Sequence, residues 1–252
     1  MIRLVLFSLI FSFTLQGQIL FSEYAEGSSY NKYLEIYNYS NELVNLSDYA
    51  FPSCSNGCDQ QGEWDYMNNF PDGAIIQPGG VYIITHPYAT DPSNQYYNSD
   101  IASFSDHQFQ FLGNGNDAVG LMNASSGVIL DIIGDMSSEA PDDGWDVAGV
   151  SQATKDHVLV RKSDVSIGNA GNWATSAGTN LNDSEWIVLD NEIWDNLGFH
   201  EYDGGVVIVF GCTDSSALNY NPLAFNVKQS ENDPETDVEK LNIEKKEIDN
   251  VN

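Results

Sequence analysis

The apolar residues of this chain come in short alternating runs, and almost every run is closed by a turn former. Tyr33-Leu34-Glu35-Ile36-Tyr37 puts Leu34 and Ile36 on one face of a strand, and Glu35 with its odd-numbered neighbours on the other. Further β-prone runs follow at Ile19-Leu20-Phe21, Leu43 to Phe51 (interrupted at Asn45-Leu46-Ser47), Ala74 to Ile76 and Val81 to Thr85. Others are Phe109 to Leu112, Asp117 to Met122, Gly127 to Ile133, Val158 to Val160 and Glu185 to Leu189. Asn38 to Asn41, Pro71-Asp72-Gly73, Pro78-Gly79-Gly80 and Gly113-Asn114-Gly115-Asn116-Asp117 supply the corners. Asn191 to Leu197 reads as a short helical turn ending at Gly198. Strands this short and this regularly punctuated specify an antiparallel, all-β body of two facing layers.

Before the first strand, Met1 to Gly17 has a lone Arg3, an apolar stretch from Leu4 to Leu15 and small or polar residues after it. That is the layout of a secretory signal peptide, and it falls short of the ~20 apolar residues a membrane span requires. Cleavage is expected near Gly17-Gln18, leaving an exported chain with no membrane span. The expected organisation is a signal peptide over 1–17, a sandwich over 18–204, a short module over 205–228 and a charged, disordered tail over 229–252.

The formal net charge is −28. No Lys or Arg occurs between Tyr33 and Thr154. Such a surface repels nucleic-acid phosphates and anionic lipid headgroups, so neither is an expected partner. It attracts divalent cations. It equally keeps a protein soluble in a salty medium, where screening makes high charge tolerable.

The cysteines are Cys54, Cys58 and Cys212. Export permits disulfides, and the turn in Cys54-Ser-Asn-Gly-Cys58 can bring the first two thiols together. No second Cys/His pair stands at a zinc spacing, and Cys212 is left over.

The order of these pieces resembles the lamin-tail family, found in nuclear lamins and in many secreted bacterial proteins. ILFSEYAEGSSYNKYLEIYNYSNELVNLSDYAF (19–51) looks like its opening. FPDGAIIQPGGVYIITHP (70–87) resembles its short strand, Pro-Gly turn and aromatic-aliphatic strand. LGNGNDAVGLMNASSGVILDIIG (112–134) is similar to its central hairpin. A strand ending at Arg161, followed by a turn and Trp173, matches its late element. The resemblance covers about Ile19 to His200 and implies an immunoglobulin-like β-sandwich of the lamin-tail type, here with long acidic loops. Gly211-Cys212-Thr213-Asp214 opens a stretch similar to a GCTD-type Asn/Asp-rich module of secreted bacterial proteins. From Phe225 onward the sequence departs from that module and lacks its second Cys.

Three groups of site residues stand out. Asp142, Asp143 and Asp146 are one candidate Ca²⁺ cluster, and Asn114, Asn116 and Asp117 are a second. Neither has EF-hand spacing, and Asp and Asn are also ordinary turn formers. Trp64, Tyr66, Tyr88, Tyr96, Tyr97 and Trp145 lie in polar loops, where aromatics stack on sugar rings, anchor an interface or cover core. No Gly-x-Ser-x-Gly elbow is present, and none of His86, His107, His157 and His200 lies within a helical turn of another.

The expectation is therefore an exported, non-catalytic binding, adhesion or scaffolding module that contacts a protein or polysaccharide at the cell surface or in the matrix. In bacteria, domains of this type accompany exported hydrolases. A metal-dependent hydrolase using loop carboxylates is the alternative, and it requires Asp117, Asp142, Asp146 and a His to converge in one pocket.

Overall fold

The computed structural model describes residues 18–202. The expected signal peptide, the 205–228 module with Cys212, and the tail fall outside the described residues.

Alternation becomes a sandwich through two sheets. The first holds six strands in the order β12-β11-β1-β2-β7-β8: β1 (Ile19–Glu26), β2 (Lys32–Asn38), β7 (Val81–Thr85), β8 (His107–Gln108), β11 (His157–Arg161) and β12 (Trp186–Asp190). Only the β7–β8 pairing is parallel. The second sheet runs β10-β9-β4, from β10 (Ile129–Ile133), β9 (Ala118–Asn123) and β4 (Tyr49–Ala50), and β5 (Ser53–Cys54) also pairs with β9. A two-stranded piece joins β3 (Val44–Asn45) to β6 (Ile75–Ile76).

The core between the sheets takes the faces the alternation assigns. Leu34 and Ile36 of β2, Ile84 of β7, Leu159 of β11 and Trp186 of β12 meet Leu121, Ile132 and Ile133 of the second sheet. The fold is an all-β sandwich.

The opposite face of the six-stranded sheet is also covered. Tyr33, Ile83, Val158 and Ala25 form a second cluster there with Ala89, Ile101 and Leu197, and Trp194 packs on it. Ala89 and Ile101 belong to two short helices, α1 (Pro87–Thr90) and α2 (Ser99–Phe104), within the stretch expected to be plain loop. Their start signals are readable afterwards: the His86 side chain accepts from Tyr88 N–H ahead of Pro87, and Asn98 Oδ1 caps Asp100 and Ile101. α3 (Trp173–Ala177) is capped in the same way by Asn172. Among the described residues no helix is long and apolar enough to cross a membrane.

Three other expectations change. Phe109 to Leu112 is not a strand. The parallel pairing is made by His107 and Gln108, and Phe109 turns inward to meet Phe51 edge-on, with ring centroids 5.1 Å apart. Asn191 to Leu197 is not a helix. It forms successive turns, with Leu197 N–H donating to Trp194 O at 3.1 Å and Phe199 N–H to Asn196 O at 3.4 Å. The polar loop that carries Trp64 and Tyr66 follows strand β5 and returns beside it, because Ser53 and Tyr66 exchange both backbone hydrogen bonds.

Candidate functional site: a cleft at one end of the sandwich

Where β1 ends and β2 begins, the two sheets part around a cleft of ≈ 560 Å³. One wall carries Tyr24 and Lys32. The other carries Ser53 to Asn56 and the start of β9, and the segment from Phe109 to Asn114 forms the lip. Phe111 is 75% exposed and Tyr66 58% exposed, and both line the cleft. Phe111 is held edge-on against Phe109, with ring centroids 5.8 Å apart, so a fixed aromatic lies under it.

Two charged side chains in the lining are committed to structure. Asp117 Oδ1 accepts Asn56 N–H at 2.7 Å and Oδ2 accepts Asn114 N–H at 2.8 Å. Its carboxylate therefore ties the loop after β5 to the turn before β9. Lys32 Nζ donates to Glu26 Oε1 and to Gly113 O, both at 2.7 Å. That ammonium pins the same turn from the opposite wall. The rest of the lining is uncharged: apolar side chains such as Leu34, Leu112 and Val119, the aromatics Tyr66 and Phe111, and the amides and hydroxyls of Asn56, Asn114 and Ser55.

The candidate residues divide. Tyr66, Asn114 and Asp117 come together at the cleft. Tyr96 and Tyr97 instead edge a separate, open groove of ≈ 400 Å³ beside Ser28, Asn31 and Asn98. There Tyr30 meets Tyr88, Tyr96 and His86, with ring centroids 4.5 to 4.9 Å apart. Trp64 and Trp145 line neither the cleft nor the groove; both are half-buried and pack on the main cluster. Trp64 can do so because Gly120 has no side chain: a Cβ there would lie 2.5 Å from the indole Cζ2.

The acidic loop does not gather. Asp143 pairs with Lys155, Asp146 accepts Gln152 N–H at 2.8 Å, and Asp142 lies exposed. Asn116 is buried with its Oδ1 unpartnered, whereas Asn114 is exposed. Among the described residues no three His, Cys, Asp or Glu side chains assemble into a set able to hold a metal ion. Cys54 and Cys58 are joined in a disulfide against Ala118, beneath the same loop.

Sequence reasoning missed Phe111 and Lys32. The run Phe109-Gln110-Phe111-Leu112 looks like a strand, and only its failure to pair brings Phe111 to the lip. Lys32 is the last base before the long stretch without Lys or Arg, a signal that could have singled it out.

No curated protein matches the chain. Among solved structures, a DUF4876 family protein from Bacteroides thetaiotaomicron aligns over 73% of this chain and 74% of its own at 13% identity, with a TM-score of 0.41. The Lamin Tail Domain family model matches residues 14–136. Those residues, just under half of the chain, include β1 to β10 and all of the cleft lining, and their match supports the lamin tail domain family for the sandwich described here.

Proposed function

We propose that this chain is an exported, non-catalytic binding module whose cleft holds a neutral polysaccharide at the cell surface or outside the cell. The observation that carries the reading is the exposed pair Tyr66 and Phe111 at a mainly apolar cleft whose polar lining includes the amides of Asn56, Asn68, Gln110 and Asn114 and the hydroxyls of Ser53 and Ser55. A sugar ring offers an apolar C–H face to an aromatic ring, and hydroxyls that amide side chains can both donate to and accept from. Lys32 is already committed to Glu26 and Gly113, so no spare cation awaits an anionic polymer. The charge of −28 repels such a polymer before contact.

The test is binding of the secreted chain to a panel of neutral, cationic and anionic polysaccharides, with and without millimolar Ca²⁺. Binding to a neutral polymer that falls at least about tenfold in Phe111→Ala and Tyr66→Ala, with thermal stability retained, is the expected result. No binding to any neutral polymer, or binding that both variants leave unchanged, overturns the reading. Loss of binding on Ca²⁺ removal would add a cation to the site.

A further inference from the structure

The outer face of the six-stranded sheet buries a second chemistry that the cleft does not use. Glu23 of β1 and Glu35 of β2 are direct cross-strand partners, 1% and 0% exposed. Plain alternation would not group their partners this way. The register of β1 slips between Phe21 and Glu23, a bulge at Ser22 that turns Ser22 toward the same side as Glu23. Ser22 Oγ then donates to Glu35 Oε1 at 2.7 Å, and Tyr33 Oη donates to Glu23 Oε1 at 2.6 Å. Glu35 Oε2 accepts the backbone N–H of Gly198 at 2.8 Å. Glu23 Oε2 has no partner.

Nothing positive faces this pair. β11 presents Val160 opposite Glu23, and β7 presents Ile83 opposite Glu35. The nearby ionisable groups are the Tyr33 phenol and Asp106, whose carboxylate accepts Ile83 N–H at 2.9 Å. On the covering segment 191–199, Glu192 is exposed and accepts from Asn31 Nδ2 at 3.0 Å, Asp195 is exposed, and Trp194, Leu197 and Gly198 lie over the sheet. Trp194 meets the Tyr33 ring edge-on at 5.7 Å, and Gly198 lies tight against the Phe104 ring with φ of 100°.

Two carboxylates held opposite each other in a dry site cannot both ionise cheaply. We propose that Glu23 and Glu35 form a proton-operated latch, which holds segment 191–199 on the sheet while the pair keeps a proton and loosens it when both are charged. Among the described residues, the segment is the only cover whose backbone the pair grips directly, so it is the part that can yield to admit water.

Burial pushes the Glu23 carboxyl up to about 7 from an ordinary 4.5, against the opposing effect of the Tyr33 hydrogen bond. Burial, with the Glu23 charge adding to it, pushes Glu35 up to about 8, against the opposing effect of its hydrogen bonds from Ser22 and Gly198, so the cost of burying the charge outweighs the firmer bond a carboxylate makes to Gly198. The latched state therefore binds more protons than the opened one between about pH 4.5 and about pH 8, and its hold weakens as pH rises through that window. Below the window the hold is complete. Above it the loss levels off.

Hydrogen exchange on the full chain tests the latch. After correction for intrinsic rates, protection of residues 194–199 should fall at least about tenfold between about pH 6 and about pH 9, while Leu34 and Ile36 stay protected. Glu23→Gln should reduce that slope, since one titrating carboxyl and its charge on Glu35 are then gone. Carbon NMR titration of the wild-type glutamates gives a second readout that needs no variant, with two macroscopic steps above about pH 6 expected. Uniform protection across the range, an unchanged slope in Glu23→Gln, or both steps below about pH 5 overturns the latch. None of these outcomes depends on whether the cleft binds a polysaccharide.

Discussion

Arg161 lies over Trp186, its guanidinium carbon 4.1 Å from the indole centroid. The same guanidinium pairs with Asp131 and Glu185 and donates from Nε to Phe21 O at 3.1 Å. Asp131 Oδ2 also accepts Phe21 N–H at 2.9 Å, and Oδ1 accepts Asn169 N–H at 3.0 Å. A strand of each sheet and the loop before α3 thus meet at one buried ion pair.

Arg161→Ala should cost about 3–5 kcal/mol, because it strands the Asp131 carboxylate in the core. Urea unfolding measures this directly. Replacing both residues by apolar side chains should cost less than Arg161→Ala alone, since the uncompensated charge is then gone.

Asp117 is the fastener of the cleft wall. Asp117→Ala should destabilise the chain by about 1–3 kcal/mol, since two charge-assisted bonds are lost and the freed N–H groups lie near water. The neutral-polysaccharide affinity proposed above should fall with it, as Asn56 and Asn114 lose their shared anchor. Thermal melts and calorimetric binding on one preparation separate the two effects.

His200 pulls stability in the opposite direction from the glutamate pair. Burial, and secondarily the Arg161 charge, bring its imidazole down to about 4 from 6.5. The unfolded chain takes up this proton first, so stability is lost as pH falls through 6.5 toward 4. His200→Gln should flatten that acid limb when urea midpoints are compared across the range.

The Cys54–Cys58 bridge closes a very short loop, for which chain entropy predicts a contribution of about 2 kcal/mol. Reduction should lower the melting temperature modestly without unfolding the sandwich. Because Cys54 and the Asn56 loop line the cleft, binding should weaken more than stability does.

Where alternation is strict and the corner residues are strong, the sequence already contained the answer. Leu34 and Ile36 face the core as their spacing requires, and the 70–87 and 112–134 segments fold as short strand, turn and hairpin. Tyr66, Asn114 and Asp117 were also legible as loop residues of interest. Trp64 and Trp145 were legible only as aromatics in polar segments. Whether such a ring faces water or core depends on distant partners such as Gly120, which no local pattern encodes. The helices at 87–90 and 99–104 were missed because one or two turns carry too little periodicity, although their caps were present.

The local pattern by itself determined the β character, the faces of the central strands and the acidic surface, because strand pitch and charge are properties of neighbouring residues. Tertiary structure alone decided that Phe111 stands at the lip of a cleft and that Lys32 and Asp117 hold its walls. It also decided that Glu23 and Glu35 share a dry site beneath Gly198. Each of these depends on register, on a single-residue bulge or on a failed pairing, and those are settled only when strands far apart in the chain pack against one another.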